Sequence, residues 1–147
     1  MCFAARRCRA QGYKAGKRLL FGVNALRDRE ARALDFDGCS VEHILPQSVT
    51  YWPGWGGFAD LGIGIDMGSL VHRVGNLTLL GDSDNFARRQ FNANFDAKRE
   101  VFGESPFLIT RDLASIERWT PEQIVSRSAT LARTAARVWS FSRPRNP

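Results

Sequence analysis

The chain has 147 residues, 44% hydrophobic and 11% aromatic with 24% charged, which excludes the apolar-poor signature of disorder and suits one globular domain with a real core. No run of about 18 apolar residues could span a bilayer, and the basic N-terminus lacks the unbroken apolar core of a signal peptide. The expectation is a cytoplasmic protein without a membrane partner, and its net charge of +6 with a pI near 9.9 favours a polyanion such as nucleic acid.

The charge is unevenly placed. Residues 1–34 carry nine basic and two acidic side chains, 35–87 carry one and seven, and 88–147 carry eleven and six. Basic flanks around an acidic middle suit a protein that grips phosphates at its ends and a divalent cation at its centre. The three cysteines, Cys2, Cys8 and Cys39, are odd in number and form no Cys-x-x-Cys pair. Neither a disulfide framework nor a zinc site is expected from them.

In chain order, residues 13–33 read as a helix, because Leu19, Leu20, Val23 and Leu26 recur at helical spacing while Lys17, Arg18, Arg27 and Arg29 fill the other face. Asp35-Phe36-Asp37-Gly38 signals a turn, and 39–45 is a short strand closed by Pro46. Residues 47–73, rich in Gly and aromatics such as Tyr51, Trp52, Trp55 and Phe58, predict a long structured loop. A second strand follows over 75–80. Gly81-Asp82-Ser83-Asp84 then supplies a turn and the cap of a helix over 85–102. Further helices are predicted over 109–118 and from Thr120-Pro121-Glu122 to about residue 138, with Ile124, Leu131, Ala135 and Val138 on one face. The tail 142–147 is expected to be loose.

His43 and His72 are the two histidines, and His43 stands in Val41-Glu42-His43-Ile44-Leu45-Pro46. Neighbours on a strand point to opposite faces, so Glu42 and His43 can meet one site only where the strand ends or bends, as Pro46 allows. Asn76 and Asn85 follow nine residues apart, around Leu77-Thr78-Leu79-Leu80 and a turn.

Here the sequence resembles a known family. Glu42-His43-Ile44-x-Pro46-Gln47, then Gly75-Asn76-Leu77-Thr78-Leu79, then Asn85, is similar to the HNH nuclease domain at the C-terminal end of GmrSD-type, modification-dependent restriction endonucleases. The opening and the Asn-to-Asn interval also resemble the HNH domain of CRISPR effector nucleases. The likeness to the GmrSD type extends through Tyr13, Lys17-Arg18-Leu19-Leu20, Phe95, Lys98, Trp119-Thr120-Pro121, Arg127, Leu131 and Trp139.

The resemblance implies an α+β fold with a ββα-metal core and flanking helices, acting as a metal-dependent DNA endonuclease. It implies Glu42 and Asn85 as ligands of one Mg²⁺ or Mn²⁺, His43 as general base, and Asn76 as the residue that orients the His43 strand or ring. These roles agree with the chemistry: a neutral imidazole can take a proton from water, and hard oxygen donors suit such cations. Lys98, Arg99, His72 and Arg73 are candidate nucleic-acid contacts. The sequence departs from the pattern in lacking the further histidine that many such sites carry after the second Asn, and in its longer stretch between His43 and Asn76. No phosphate-cradling Gly loop is present, so the chain is expected to be a single nuclease domain over 1–147. An N-terminal nucleotide-binding, modification-sensing domain would then lie elsewhere in a larger protein or on a partner chain. The competing reading is a catalytically degenerate DNA-binding or protein-interaction module.

Overall fold

The order of polar and apolar side chains along two short strands organises the fold. The computed structural model describes residues 3–28, 34–58, 66–81 and 91–140, with side chains from residue 13 onward. Its elements are α1 (Phe3–Arg27), β1 (Cys39–His43), a 3-10 turn (Val49–Gly54), α2 (Met67–Val71), a 3-10 turn (Val74–Asn76) and β2 (Leu77–Gly81). α3 (Phe95–Gly103), α4 (Leu108–Arg111), a 3-10 turn (Asp112–Ser115) and α5 (Pro121–Ser140) complete the order. This is an α+β architecture, compatible with a ββα core and flanking helices. No helix among the described residues is long and apolar enough to cross a membrane.

β1 and β2 pair antiparallel, with Cys39 opposite Gly81, Val41 opposite Leu79 and His43 opposite Leu77. Successive side chains leave a strand on opposite faces. Leu77 and Leu79 therefore join Cys39, Leu20 and Val23 of α1, Phe107, Ile109, and Leu131 and Ala135 of α5 in one apolar cluster. Leu80 faces the other way, into a cluster with Trp55, Phe58, Phe91, Phe95, Phe102 and Trp119. Each core side chain withdrawn from water contributes roughly 1.5–3 kcal/mol, so both faces of so small a sheet are covered.

β2 carries a polar side chain inside as well as apolar ones. Thr78 is fully buried, and its hydroxyl pairs with that of Thr110 at 2.8 Å, while Thr110 Oγ1 donates to the Leu79 carbonyl at 2.7 Å. Asn24 of α1 is buried too, and its Oδ1 accepts the Ile109 amide at 3.2 Å. α1 is thereby tied to α4 by a hydrogen bond in addition to the packing of Leu20 and Val23.

Several sequence expectations shift. α1 ends at Arg27 rather than 33, residues 29–33 lie outside the described residues, and Leu26 is 43% exposed instead of packed. The first strand stops at His43, because the next two amides bond to Asn76 rather than to a strand partner. The second begins at Leu77, one residue after the 3-10 turn that holds Asn76. The 47–73 loop contains both a 3-10 turn and α2, the latter capped by Asp66, whose side chain accepts from the Ser69 amide. Residues 92–94 interrupt the helix expected over 85–102; the Asn94 side chain accepts from Ala97 N and starts α3 afresh. The helix expected over 109–118 is a single turn, followed by a 3-10 turn and an extended run from Ile116. The turn at 82–84, Asn85 and the tail 142–147 lie outside the described residues.

α5 begins as its sequence dictates: Thr120 Oγ1 accepts the Gln123 amide and Pro121 takes the first helical position. It packs against the 74–76 turn. Ser128 Oγ accepts Gly75 N at 3.0 Å and donates to Ile124 O at 2.7 Å. Arg127 donates to the carbonyls of Gly75 and Leu77 at 2.8 and 2.6 Å. The approach leaves no space for a side chain at position 75, where an added Cβ would stand 2.0 Å from Ile124 O and 2.8 Å from Ser128 N.

Gly75→Ala should therefore lower stability by roughly 1–3 kcal/mol or more, since backbone on both sides would have to move. Gly22→Ala in α1 meets only Val138 Cγ1 at 3.7 Å and should be neutral or gain up to about 1 kcal/mol from helix propensity. Urea unfolding midpoints of the two variants check the contrast; equal midpoints would contradict the close approach.

Candidate active site

His43 closes β1 on the face shared by Cys39 and Val41, the face that α1 covers. The ring is buried, with only 5% of the residue exposed. Tyr13 of α1 reaches it: the phenol oxygen lies 3.4 Å from Nε2, and the rings meet edge to face with centroids 5.8 Å apart. Gln47, just past Pro46, places Nε2 of its amide 3.1 Å from Nδ1. His72 stands edge-on at 5.5 Å between centroids. Burial, then the neighbouring His72 and Lys98, lower the His43 pKa from its ordinary 6.5 to about 4. The imidazole is therefore neutral near pH 7, with a lone pair able to take a proton.

Glu42 points to the other face, where α3 lies. Lys98 of α3 donates to Glu42 Oε1 at 2.7 Å and also bonds the His43 carbonyl. Its ammonium stands 4.7 Å from the Phe91 ring centroid and 5.9 Å from that of Trp55. Lys98 is fully buried, and desolvation pushes its pKa down against the opposing pull of Glu42. Phe95, Lys98 and Phe102 are the buried residues of α3, so Lys98 sits on an apolar face. That placement differs from the expected phosphate contact, because the charge is spent inside the protein.

Asn76 is fully buried and uses its whole amide. Oδ1 accepts Leu45 N at 2.8 Å and Trp119 Nε1 at 3.1 Å; Nδ2 donates to Leu45 O at 3.0 Å and Val71 O at 2.9 Å. Its backbone carbonyl accepts Ile44 N at 2.8 Å. These bonds hold the chain just after His43, not the ring.

A cleft of about 340 Å³ opens at the end of β1, bordered by Tyr13, Glu42, His43, Gln47 and Asn92. Consecutive strand residues share it because the strand ends there. A second hollow of about 220 Å³ lies beside α5, and its one carboxylate, Asp112, is tied to Arg27. The His43 imidazole and the Glu42 carboxylate both border the first. Glu42 offers a hard oxygen donor, which fits Mg²⁺ or Mn²⁺. Among the described residues no group of three or more His, Cys, Asp or Glu side chains gathers to hold a metal. Asn85, the other expected ligand, lies outside the described residues.

His72 and Arg73 are exposed on the turn after α2, and the His72 ring stands at the edge of His43. Arg99 is directed elsewhere, to the Ile116 carbonyl at 3.1 Å and Asp96 at 3.5 Å. In the aromatic segment, Trp55 and Phe58 are core residues, with Trp55 Nε1 donating to Asn92 O at 3.0 Å. Trp52 is half-buried and donates to the carbonyl of Pro46 at 2.8 Å, and Pro46 borders the cleft. Sequence reasoning assigned no role to Tyr13, Gln47 or Trp119. The three-and-four spacing of Phe95, Lys98 and Phe102 was the signal that Lys98 faces inward.

The family model described as GmrSD restriction endonucleases, C-terminal domain, matches residues 5–134. No curated protein matches the chain.

Because burial makes protonation of His43 costlier in the folded than in the unfolded chain, the unfolded state takes up its proton first as pH falls. The stabilisation is full above about pH 6.5 and is lost progressively towards pH 4, by about 3 kcal/mol at most. Unfolding of metal-free protein followed from pH 7.5 to 4 should show this loss, and His43→Gln should flatten that part of the profile. An unchanged profile in the variant would assign the pH dependence elsewhere.

Proposed function

Because the chain belongs to the C-terminal domain family of GmrSD restriction endonucleases, we propose that it hydrolyses DNA phosphodiester bonds as an HNH-type, metal-dependent endonuclease. The observation that carries this reading is the buried, neutral His43 imidazole sharing one cleft with the Glu42 carboxylate. His43 takes a proton from water, and the hydroxide so formed attacks the scissile phosphorus in line with the leaving 3′-oxygen, giving a 5′-phosphate. Glu42 and Asn85 would hold one Mg²⁺ or Mn²⁺, which when bound supplies charge stabilisation on the scissile phosphate and leaving oxygen. Asn76 fixes the peptide after His43, so the ring is presented from a strand end that cannot drift. Burial excludes bulk water from one side of the ring and keeps its lone pair available at neutral pH.

His72, exposed against the His43 ring, and Arg73, the exposed residue that follows it, are the better placed of the proposed DNA contacts. Cleavage has low sequence specificity in this reading, since phosphate contacts position and base contacts specify. The expected setting is cytoplasmic restriction of foreign DNA, with modification sensing supplied by an N-terminal domain or a partner chain.

The test is incubation of supercoiled plasmid with Mg²⁺, Mn²⁺ or EDTA. Metal-dependent nicking by the wild type is expected, with His43→Ala slower by roughly 10²- to 10⁴-fold and DNA affinity little changed. A mobility shift without cutting would make the chain a binding module instead. Nicking at wild-type rate by His43→Ala would remove His43 from the chemistry.

A further inference from the structure

Lys98 and Glu42 form an ion pair whose two ends are unlike. The ammonium is wholly buried on α3, whereas the carboxylate keeps 26% of its side-chain surface exposed and borders the cleft. Lys98 Nζ donates to Glu42 Oε1 at 2.7 Å and to the His43 carbonyl, with the Phe91 and Trp55 rings beside it. Having no exposed surface, it cannot touch a phosphate in the cleft. A charge taken out of water is costly, and an apolar residue would suit the face that Lys98 shares with Phe95 and Phe102. A neutral donor could tether the His43 carbonyl. Only a cation cancels the charge of the carboxylate.

That cancellation matters for a divalent ion, which is drawn to a site chiefly by carboxylate charge. Among the described residues Glu42 is the one carboxylate on the cleft, and no cluster of further acidic, His or Cys ligands gathers there. With Lys98 on Oε1 and a neutral His43, the described cleft offers a cation no net negative charge. A DNA backbone brings one negative charge per phosphate and supplies what the protein withholds. We propose that Lys98 is a counter-cation built into the site: it fixes and neutralises Glu42, so that the DNA-free protein takes up Mg²⁺ or Mn²⁺ weakly and metal loading is coupled to the phosphodiester backbone. The inference rests on the nuclease reading for the metal and the DNA, and adds the reason that the two load together. Lys98 is a positioning residue, acting through Glu42: it keeps one carboxylate oxygen on the protein side and leaves Oε2 for the cleft. A cation then enters together with the group on which it is to act.

The experiment is Mn²⁺ binding at neutral pH, followed by electron paramagnetic resonance of the free ion, with binding by DNA alone subtracted. His43→Ala protein is used with a short DNA duplex, so that the duplex stays whole while the main-chain carbonyl that Lys98 meets is retained. The duplex should tighten Mn²⁺ binding to this protein by about 10- to 100-fold. Lys98→Met removes the cation and keeps an apolar chain of similar length, so without DNA it should bind Mn²⁺ about 10- to 100-fold more tightly than wild type. Lys98→Gln keeps hydrogen-bond donors without charge and should show the same gain, which separates neutralisation from tethering. Adding Glu42→Gln to Lys98→Met should abolish the gain, since no carboxylate is released. Lys98 variants that bind Mn²⁺ no more tightly than wild type, or equal affinity of His43→Ala with and without the duplex, would overturn the proposal. The duplex comparison needs no change at Lys98, so it decides even where those variants fail to fold. Absence of plasmid nicking by the wild type would overturn the nuclease reading alone, because Mn²⁺ binding is read without cleavage.

Discussion

The amide of Asn76 is the junction on which the site depends. Two accepted and two donated hydrogen bonds connect the chain just beyond His43, the end of α2, and the Trp119 indole to the start of β2. A buried amide so engaged is costly to replace, because each lost partner leaves a polar group without water. The turn that carries it is in turn held by Arg127 and Ser128 of α5. Burial makes that arginine unusual: desolvation lowers its pKa to about 10, even with Asp112 pulling the other way. A guanidinium that stays charged at neutral pH and donates to backbone carbonyls is a strong tether. The last helix thus reaches the strand end through two layers of hydrogen bonds, although none of its own side chains borders the cleft.

Strand alternation, which ordinarily separates neighbours, here gives each of two adjacent residues its own support. His43 faces α1 and receives Tyr13, while Glu42 faces α3 and receives Lys98. They converge only because pairing stops at His43 and the cleft wraps around the strand end. Lys98 touches both, through the Glu42 carboxylate and the His43 carbonyl. A buried ammonium between two aromatic rings is expensive to desolvate. Its retention beside Glu42 offsets the carboxylate's charge from inside the protein, on the side away from solvent.

Much of this was legible in the sequence. The two strands, the capped last helix and the apolar face of α1 followed from periodicity, and Glu42, His43 and Asn76 followed from their motif. What remained hidden depended on tertiary contacts. Nothing local to Asn94 shows that its side chain, rather than a residue ten positions earlier, opens α3. Leu26 obeys the helical spacing yet is 43% exposed. Lys98 reads as a solvent-facing cation until its place between Phe95 and Phe102 is weighed against its charge. Tyr13 lies thirty residues from His43, and no pattern in either segment announces their meeting.

The basic composition has a second cause beside any nucleic-acid partner. Two strands of five residues satisfy few backbone groups, and the long connections leave carbonyls, most of them part-buried, that need donors. Arginines supply them. Arg99 bonds Ile116 O, Arg111 bonds Ser105 O, Arg118 bonds Gly56 O, and Arg127 bonds the carbonyls of Gly75, Leu77 and Ile109. With Lys98 buried as well, much of the positive charge between residues 91 and 140 is committed to holding loops. The cations left exposed include Lys14 and Arg18, on the helix that carries Tyr13, and Arg73, which follows His72. Net charge alone places none of this; the distinction comes from which cations already have a carbonyl to serve.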